Sequence, residues 1–145
     1  GVTLWHDKLQ REAVKTKQIT LPSGRQYAFP SARWTEWGTA TNRTAICNYP
    51  VQGFATADLL PTALVRLSKM MRTRELKSVI CNTVHDSIVL DVHPDEKDAC
   101  IKLLEYAMLS LPTESVNRYG VEYDMPVEIE LKIGKNWLDT EVVNL

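Results

Sequence analysis

Two apolar runs rich in β-branched residues, Val79 to Val84 and Ile88 to Val92, flank a short polar centre, His85-Asp86-Ser87. Runs of this length and composition, parted by so few residues, predict two strands joined as a hairpin. No other stretch limits the fold as much. A lone strand pair is marginal in water, so the rest of the chain must cover it. The hairpin also sets an acid at its turn. A carboxylate held between two buried strands is well placed to hold a divalent metal against phosphate oxygens. The plainer reading is an ordinary polar turn, since Asp and Ser are common turn formers.

The flanking segments are expected to supply the cover. Pro94 stops the second strand, and Asp95 or a neighbour caps the helix that follows. From Ala99 to Leu111, Ile101, Leu104, Ala107, Met108 and Leu111 share an apolar face. Glu114 to Met125 reads as a polar connection turning at Gly120. Val127 to Ile133 alternates apolar and charged residues, the pattern of a strand with one buried face. Trp137 is expected to anchor the turn after it. Upstream, Leu4, Trp5, Leu9, Ala13 and Val14 approximate one face of a helix over Val2 to Lys17. Gln18 to Leu21 and Gln26 to Phe29 form a small hairpin around Pro22-Ser23-Gly24-Arg25. Pro30 to Thr44 is a loop expected to pack Trp34 and Trp37. From Phe54 to Met71 the apolar residues follow helical spacing, and Pro61 either kinks that helix or opens a second one at its first turn. A helix starting just after Gly53 would offer free amides to an anion. The whole predicts an α+β fold, an antiparallel sheet with helices on one side, in one modest domain of 145 residues.

Net charge is -1, which by itself points to no nucleic-acid partner. The average hides a division. Gly1 to Ile80 holds 12 Lys or Arg against 5 Asp or Glu, and Cys81 to Leu145 holds 5 against 13. A basic half beside an acidic half suits a polyanion on one side and a metal or a protein on the other, although chance segregation gives the same count. Cys47, Cys81 and Cys100 match no zinc or redox spacing, and Cys81 and Cys100 sit in apolar contexts expected of reduced core residues. No signal peptide and no apolar run able to cross a bilayer is visible, so the expectation is an intracellular, cytoplasmic protein without a membrane partner. The chain starts at Gly1 and enters a helix almost at once, which reads as a fragment or a processed chain.

Candidate chemistry centres on few residues. A two-metal phosphoryl-transfer site needs at least two acids close together. Asp86 supplies one. Asp91 falls on the other side of its strand by alternation, and Asp95 and Glu96 lie beyond the strand end. Asn48 and Gln52 carry paired donors and acceptors able to read base edges or sugars, or simply to lock a loop. Arg33 and Arg43 suit phosphates. No glycine-rich phosphate loop, metal-binding His pair or serine triad is present.

Asn48-Tyr49-Pro50-Val51-Gln52-Gly53, followed after a helix by Thr83-Val84-His85-Asp86-Ser87, resembles the C-terminal palm segment of family A DNA polymerases, phage replicative members above all. Leu21-Pro22-Ser23-Gly24-Arg25 with Tyr27 and Pro30 resembles the small hairpin of that family. Trp5 to Val14 resembles the helix before it, and Gly134-Lys135-Asn136-Trp137 the closing motif at slightly different spacing. The resemblance spans almost the whole chain. It implies an antiparallel palm-type sheet covered by helices, part of a polymerase palm near the thumb. Residues 1–75 would give a helix, the small hairpin, a loop and a DNA-contacting helix. Residues 76–145 would give the catalytic hairpin, its covering helix and a final strand.

By the same resemblance, Asp86 is the second catalytic aspartate of the palm and a ligand for Mg²⁺, of which the complete enzyme holds two. His85 lies near the primer terminus. Ser87 stands where many members carry Glu and phage-like members often carry Ser, a change implied to tune DNA contact and activity. Gln52 contacts the minor groove of the primer-template and Asn48 makes a nearby polar contact. Arg43 falls one position from the minor-groove arginine of the family, where Thr44 stands instead. The first catalytic aspartate of the family and its nucleotide-binding fingers helix have no counterpart in this sequence. The implied function is the C-terminal part of a DNA-directed DNA polymerase, inactive until completed by an N-terminal palm and fingers. Primer-template DNA and deoxynucleotides are then partners of the complete enzyme. A cut palm would expose sheet edge or apolar surface and favour self-association. Two other classes stay open: a non-catalytic DNA- or partner-binding palm-like module, and a small metal-dependent nuclease using Asp86.

Overall fold

A computed structural model describes residues 1–122 and 126–143. Helices cover small antiparallel sheets in an α+β arrangement. Helix α1 (Val2–Thr16) ends at Lys17, which turns into the left-handed region at φ 63° while its N–H donates to the Ala13 carbonyl. The chain then enters the expected hairpin, β1 (Gln18–Thr20) against β2 (Gln26–Ala28). After a long loop, α2 (Arg43–Gln52) runs without a break into a π-helical segment, Gly53–Leu59, and on into α3 (Leu60–Thr73).

Pro61 accounts for the change of pitch. It has no N–H for the Ala57 carbonyl four residues back, and its ring crowds that carbonyl. The preceding turns widen, the Leu60 N–H donating to Ala55 five residues back, and Pro61 sits in the first turn of α3. Gly53 therefore lies inside a continuous helix. Its N–H is taken by the carbonyls of Tyr49 and Pro50, so the anion-binding helix start expected there is absent.

Strand β3 (Val79–Val84) pairs antiparallel with β4 (Ser87–Asp91), with the register shifting by one residue at Cys81. A single 3₁₀ turn, Pro94–Glu96, leads into α4 (Lys97–Leu109). The polar connection expected from Glu114 onward is instead helical. Helix α5 (Leu111–Tyr119) begins with Pro112 in its first turn, carries Glu114 near its positive end, and closes on Gly120 at φ 65°. The end of that expected connection, residues 123–125, lies outside the described residues. Of the strand expected over Val127 to Ile133, only β5 (Lys132–Gly134) pairs, with β6 (Thr140–Val142). The alternation survives in burial: Val127, Ile129, Leu131 and Ile133 are each more covered than their neighbours. The described residues thus form three two-stranded sheets: the expected small hairpin, and two separate pairs where one sheet was expected to join the second hairpin to the strand over Val127 to Ile133.

The apolar interior is divided. One cluster joins α1, the first hairpin and α2 through Leu9, Ala13, Ile19, Phe29 and Ile46. A second sets α3 against α4 through Leu67, Met71, Leu103 and Ala107, with Ile80 and Leu90 of the second hairpin on top. A third joins Leu59, Ala63 and Leu111, with Phe54 edge-on to Tyr119. Trp34, Trp37 and Trp137, all expected to pack, are exposed, Trp37 to 87 %.

Candidate functional site

Pairing of Val84 with Ser87 leaves His85 and Asp86 as a two-residue loop at the tip of β3–β4. Such tight loops need positive φ at the first central residue, a place usually given to Gly. His85 takes it at φ 53°, as one of the few side chains that tolerate this region. The Ser87 hydroxyl donates to the Val84 carbonyl at 2.8 Å and fastens the turn. Asp86 is exposed, and its carboxylate has no hydrogen-bond partner among the described residues. The two strands behind it are not both buried, contrary to the sequence reading. β3 lies at the surface except at Ile80, and only β4 keeps Ile88, Val89 and Leu90 partly covered. Cys81, expected in the core, is exposed at the register shift, whereas Cys100 is buried. A bulge of this kind re-aims a strand near its end.

The root of the hairpin is fixed by a residue that the sequence marked only as a helix-start acid. The Glu96 carboxylate accepts the Lys77 N–H at 2.9 Å, the Ser78 N–H at 2.8 Å and the Ser78 hydroxyl at 2.6 Å. The Ser78 oxygen in turn accepts the His93 N–H at 2.9 Å. Entry and exit of the hairpin are thereby stapled together. The Lys77 amide, followed by the Ser78 hydroxyl, holds the Glu96 carboxyl down to about 2. Capping falls to His93, whose Nδ1 accepts the Asp95 N–H at 3.4 Å. Nothing in the spacing of Lys77 and Glu96 announces the staple, because it forms only when strand and turn meet in space.

Asn48 and Gln52 lie on α2, not in a loop, and both are exposed. With Thr44 they repeat every four residues and form one stripe along the helix, while Ile46, Cys47 and Pro50 face the interior. Their side chains bond to no described residue, so they lock no loop; only the Gln52 carbonyl is engaged, accepting from the Thr56 hydroxyl at 2.7 Å. Arg43 opens α2, also exposed, and stands about 100° around the helix from Thr44. Arg66 is tied to Glu114 and Ser110 and lies 5.6 Å over the Tyr106 ring. Glu114, bonded by Arg118 and faced by Arg66, is held below the ordinary carboxylate range.

The Asp86 residue is exposed, but one carboxylate is far from the six oxygens that Mg²⁺ takes. No group of three or more His, Cys, Asp and Glu side chains able to hold an ion occurs among the described residues. The described residues by themselves show no metal site around Asp86. No helix among the described residues is long and apolar enough to cross a membrane.

Residues 1–139 match the family described as DNA polymerase family A. The chain is 29 % identical over 143 residues to DNA polymerase I of Lactococcus lactis, a match covering 97 % of this chain and 15 % of that protein. It is 35 % identical over 96 residues to the DNA polymerase of Bacillus phage SP01, covering 63 % of this chain and 10 % of the other. The POL domain of Pol1 from M. smegmatis, in complex with DNA primer-template and dNTP, shares the fold with a TM-score of 0.65 at 22 % identity, over 74 % of this chain and 19 % of that one. The chain spans only 15 % or less of the two curated relatives. With nearly its whole length inside the family match, and with the helix-covered fold of a known POL domain, the chain belongs to DNA polymerase family A.

Proposed function

We propose that the chain acts as the C-terminal palm segment of a template-dependent DNA polymerase of the phage type. Residues 1–75 grip the primer-template and residues 76–145 present the catalytic hairpin. The observation that carries this reading is the Asp86 carboxylate, held unbonded at a tight hairpin tip whose strand β3 pairs only with β4 among the described residues. The free edge of β3 has room for a further strand, and a strand added there is the natural place for a second acid. Two Mg²⁺ ions, when bound, would stabilise the charge that develops as the primer 3′-hydroxyl meets the nucleotide α-phosphate. Asp86 would hold one side of that pair, and His85 would lie against the primer end. Asn48 and Gln52 would reach the minor groove, where their paired donors and acceptors suit the acceptor atoms common to all base pairs. Arg43, off the stripe, would meet a phosphate, and Ser87 would act on DNA only through the turn it fastens. The work would lie in the cytoplasm, that of the host if the chain is phage-encoded.

The test is reconstitution. The chain is mixed with a polypeptide carrying an N-terminal family A palm and fingers, and extension of a primer-template is followed with Mg²⁺. Extension by the mixture, absent from either part and lost in Asp86→Asn, is expected. A mixture that binds primer-template yet extends nothing refutes the proposal. Mg²⁺-dependent cleavage of DNA by the chain alone, lost in Asp86→Asn, would favour the nuclease reading instead.

A further inference from the structure

The polar stripe and the acid belong to different packed units. Asn48 and Gln52 ride on α2, which packs with α1 and the first hairpin. His85 and Asp86 ride on β3–β4, which packs on α3 and α4. The chain passes from one unit to the other through the π-helical segment, a wide and less regular helix. A joint of that kind does not by itself fix the angle between its two arms.

The first hairpin grips the joint at both ends. At the near end, the Tyr27 hydroxyl presses on Gly53 so closely that a Cβ there would fall 2.1 Å from it. At the far end, Asp58 is buried, its side chain only 7 % exposed. It accepts the Ser23 hydroxyl at 2.5 Å and the Arg25 Nε–H at 3.0 Å, with Arg25 Nη2 at 2.9 Å. Arg25 Nη2 also donates at 3.3 Å to the Ala57 carbonyl, the one that Pro61 deprives of its usual helical donor. Ser23 and Arg25 thus partner a buried carboxylate, and Arg25 adds a donor to a carbonyl that Pro61 cannot serve. Apart from the helix-local Thr56–Gln52 pair, every side-chain hydrogen bond between residues 1–52 and the later described residues runs from this hairpin tip to Ala57 or Asp58.

We propose that Asp58, clasped by Ser23 and Arg25, is a positioning residue that sets how α2 and its polar stripe stand relative to the catalytic hairpin. The assignment of DNA contacts to that stripe rests on the function proposed above; the clasp itself does not. Loss of the clasp leaves both units folded and frees the angle between them.

Spin labels on Thr44→Cys of α2 and Thr83→Cys of β3, in a Cys81→Ser background, read that angle as a distance distribution in the intact chain. One narrow peak is expected in the parent, and loss of that single peak in Asp58→Asn. Leu9→Ala serves as the control. It loosens the first core without touching the clasp, and should lower Tm while keeping the peak. An Asp58→Asn chain that melts earlier but keeps the parent peak overturns the proposal. If Asp58→Asn does not fold, Ser23→Ala removes one bond, leaves Arg25 in place and is read in the same way. Failure of primer extension in the reconstituted mixture would count against the proposed function and leave this measurement standing.

Discussion

Replacing Gly53 by Ala sets two opposed effects against each other. Gly53 has ordinary helical dihedrals, φ -64° and ψ -40°, so alanine meets no backbone strain. Intrinsic propensity favours alanine there by about 1 kcal/mol. Against this stands the tyrosine: the new Cβ would lie 2.1 Å from Tyr27 Oη and 2.9 Å from Cζ, where ordinary contact begins near 3.4 Å. The tip of the ring must retreat by roughly 1 Å to restore contact distance. It cannot swing away without loss, because the Tyr27 ring lies against Tyr49 at 5.2 Å between centroids and packs on the first core. Forcing a methyl into such a contact costs about 1–3 kcal/mol. The clash outweighs the propensity, and the net loss is about 1 kcal/mol, or a fall in Tm of about 3–5 °C for a chain of this length. Thermal unfolding followed by circular dichroism measures it. Tyr27→Phe alone should be close to neutral, since its hydroxyl bonds to no described residue. In the double variant it should return part of the loss, because only the ring carbons Cζ and Cε2, at 2.9 and 3.1 Å, then stand in the way. A rise in Tm for Gly53→Ala, or a penalty that Tyr27→Phe leaves untouched, would show that the hairpin does not press on the helix as described.

Three further outcomes can be measured. The Glu96 carboxyl is held down to about 2 from its ordinary 4.5, so its contribution to stability is fully present above about pH 4.5 and is lost as pH falls toward 2. Thermal melts across that range should show the parent losing its lead over Glu96→Gln; a constant difference would refute the staple. His85→Gly removes about 1–2 kcal/mol of left-handed strain and adds about 0.5–1 kcal/mol of chain entropy, so Tm should rise slightly while extension by the reconstituted mixture falls. A fall in Tm would mean that the imidazole itself holds the turn. Gln52→Ala should weaken primer-template binding about threefold to tenfold with an unchanged salt slope, whereas Arg43→Ala should reduce that slope by about 1. Equal salt slopes for parent and Arg43→Ala, measured by fluorescence anisotropy, would remove the phosphate role from Arg43.

What the sequence made legible was local. The β-branched runs around His85-Asp86-Ser87 and the Pro-Gly turn at Pro22 to Arg25 each specify a hairpin from near neighbours, and both form. Apolar spacing also announced helices α1 and α3, although Leu4 and Trp5, expected on the apolar face of α1, are exposed and Gln10 is buried beside Leu9 and Ala13 instead. Readings failed where an outcome depended on partners distant in sequence. Gly53 was read as a helix start, yet it lies inside a continuous helix, at the point where the Tyr27 hydroxyl arrives. Glu114 looked like loop, although Pro112 and Gly120 bracket it as helix signals should. Val127 to Ile133 alternates correctly, yet most of it finds no strand to pair with among the described residues. Of the candidate site, Asp86 and the stripe of Asn48 and Gln52 were readable as residue types. The strain at His85, the Glu96 staple and the Asp58 clasp were not, since each is a meeting of segments.

The division of the interior also bears on how the molecule comes apart. The cluster of Leu9, Ala13 and Ile46 shares no residue with those around Leu67 and Leu111. Cooperativity between them must pass through one continuous helix and a few polar contacts. A chain built this way need not melt in a single all-or-none step. Amide hydrogen exchange should then sort into two protection classes with a border near Gln52, the two units opening with different free energies. Unfolding curves recorded by Trp5 and by the far-ultraviolet signal should part company for the same reason, and a single fitted Tm would average two events.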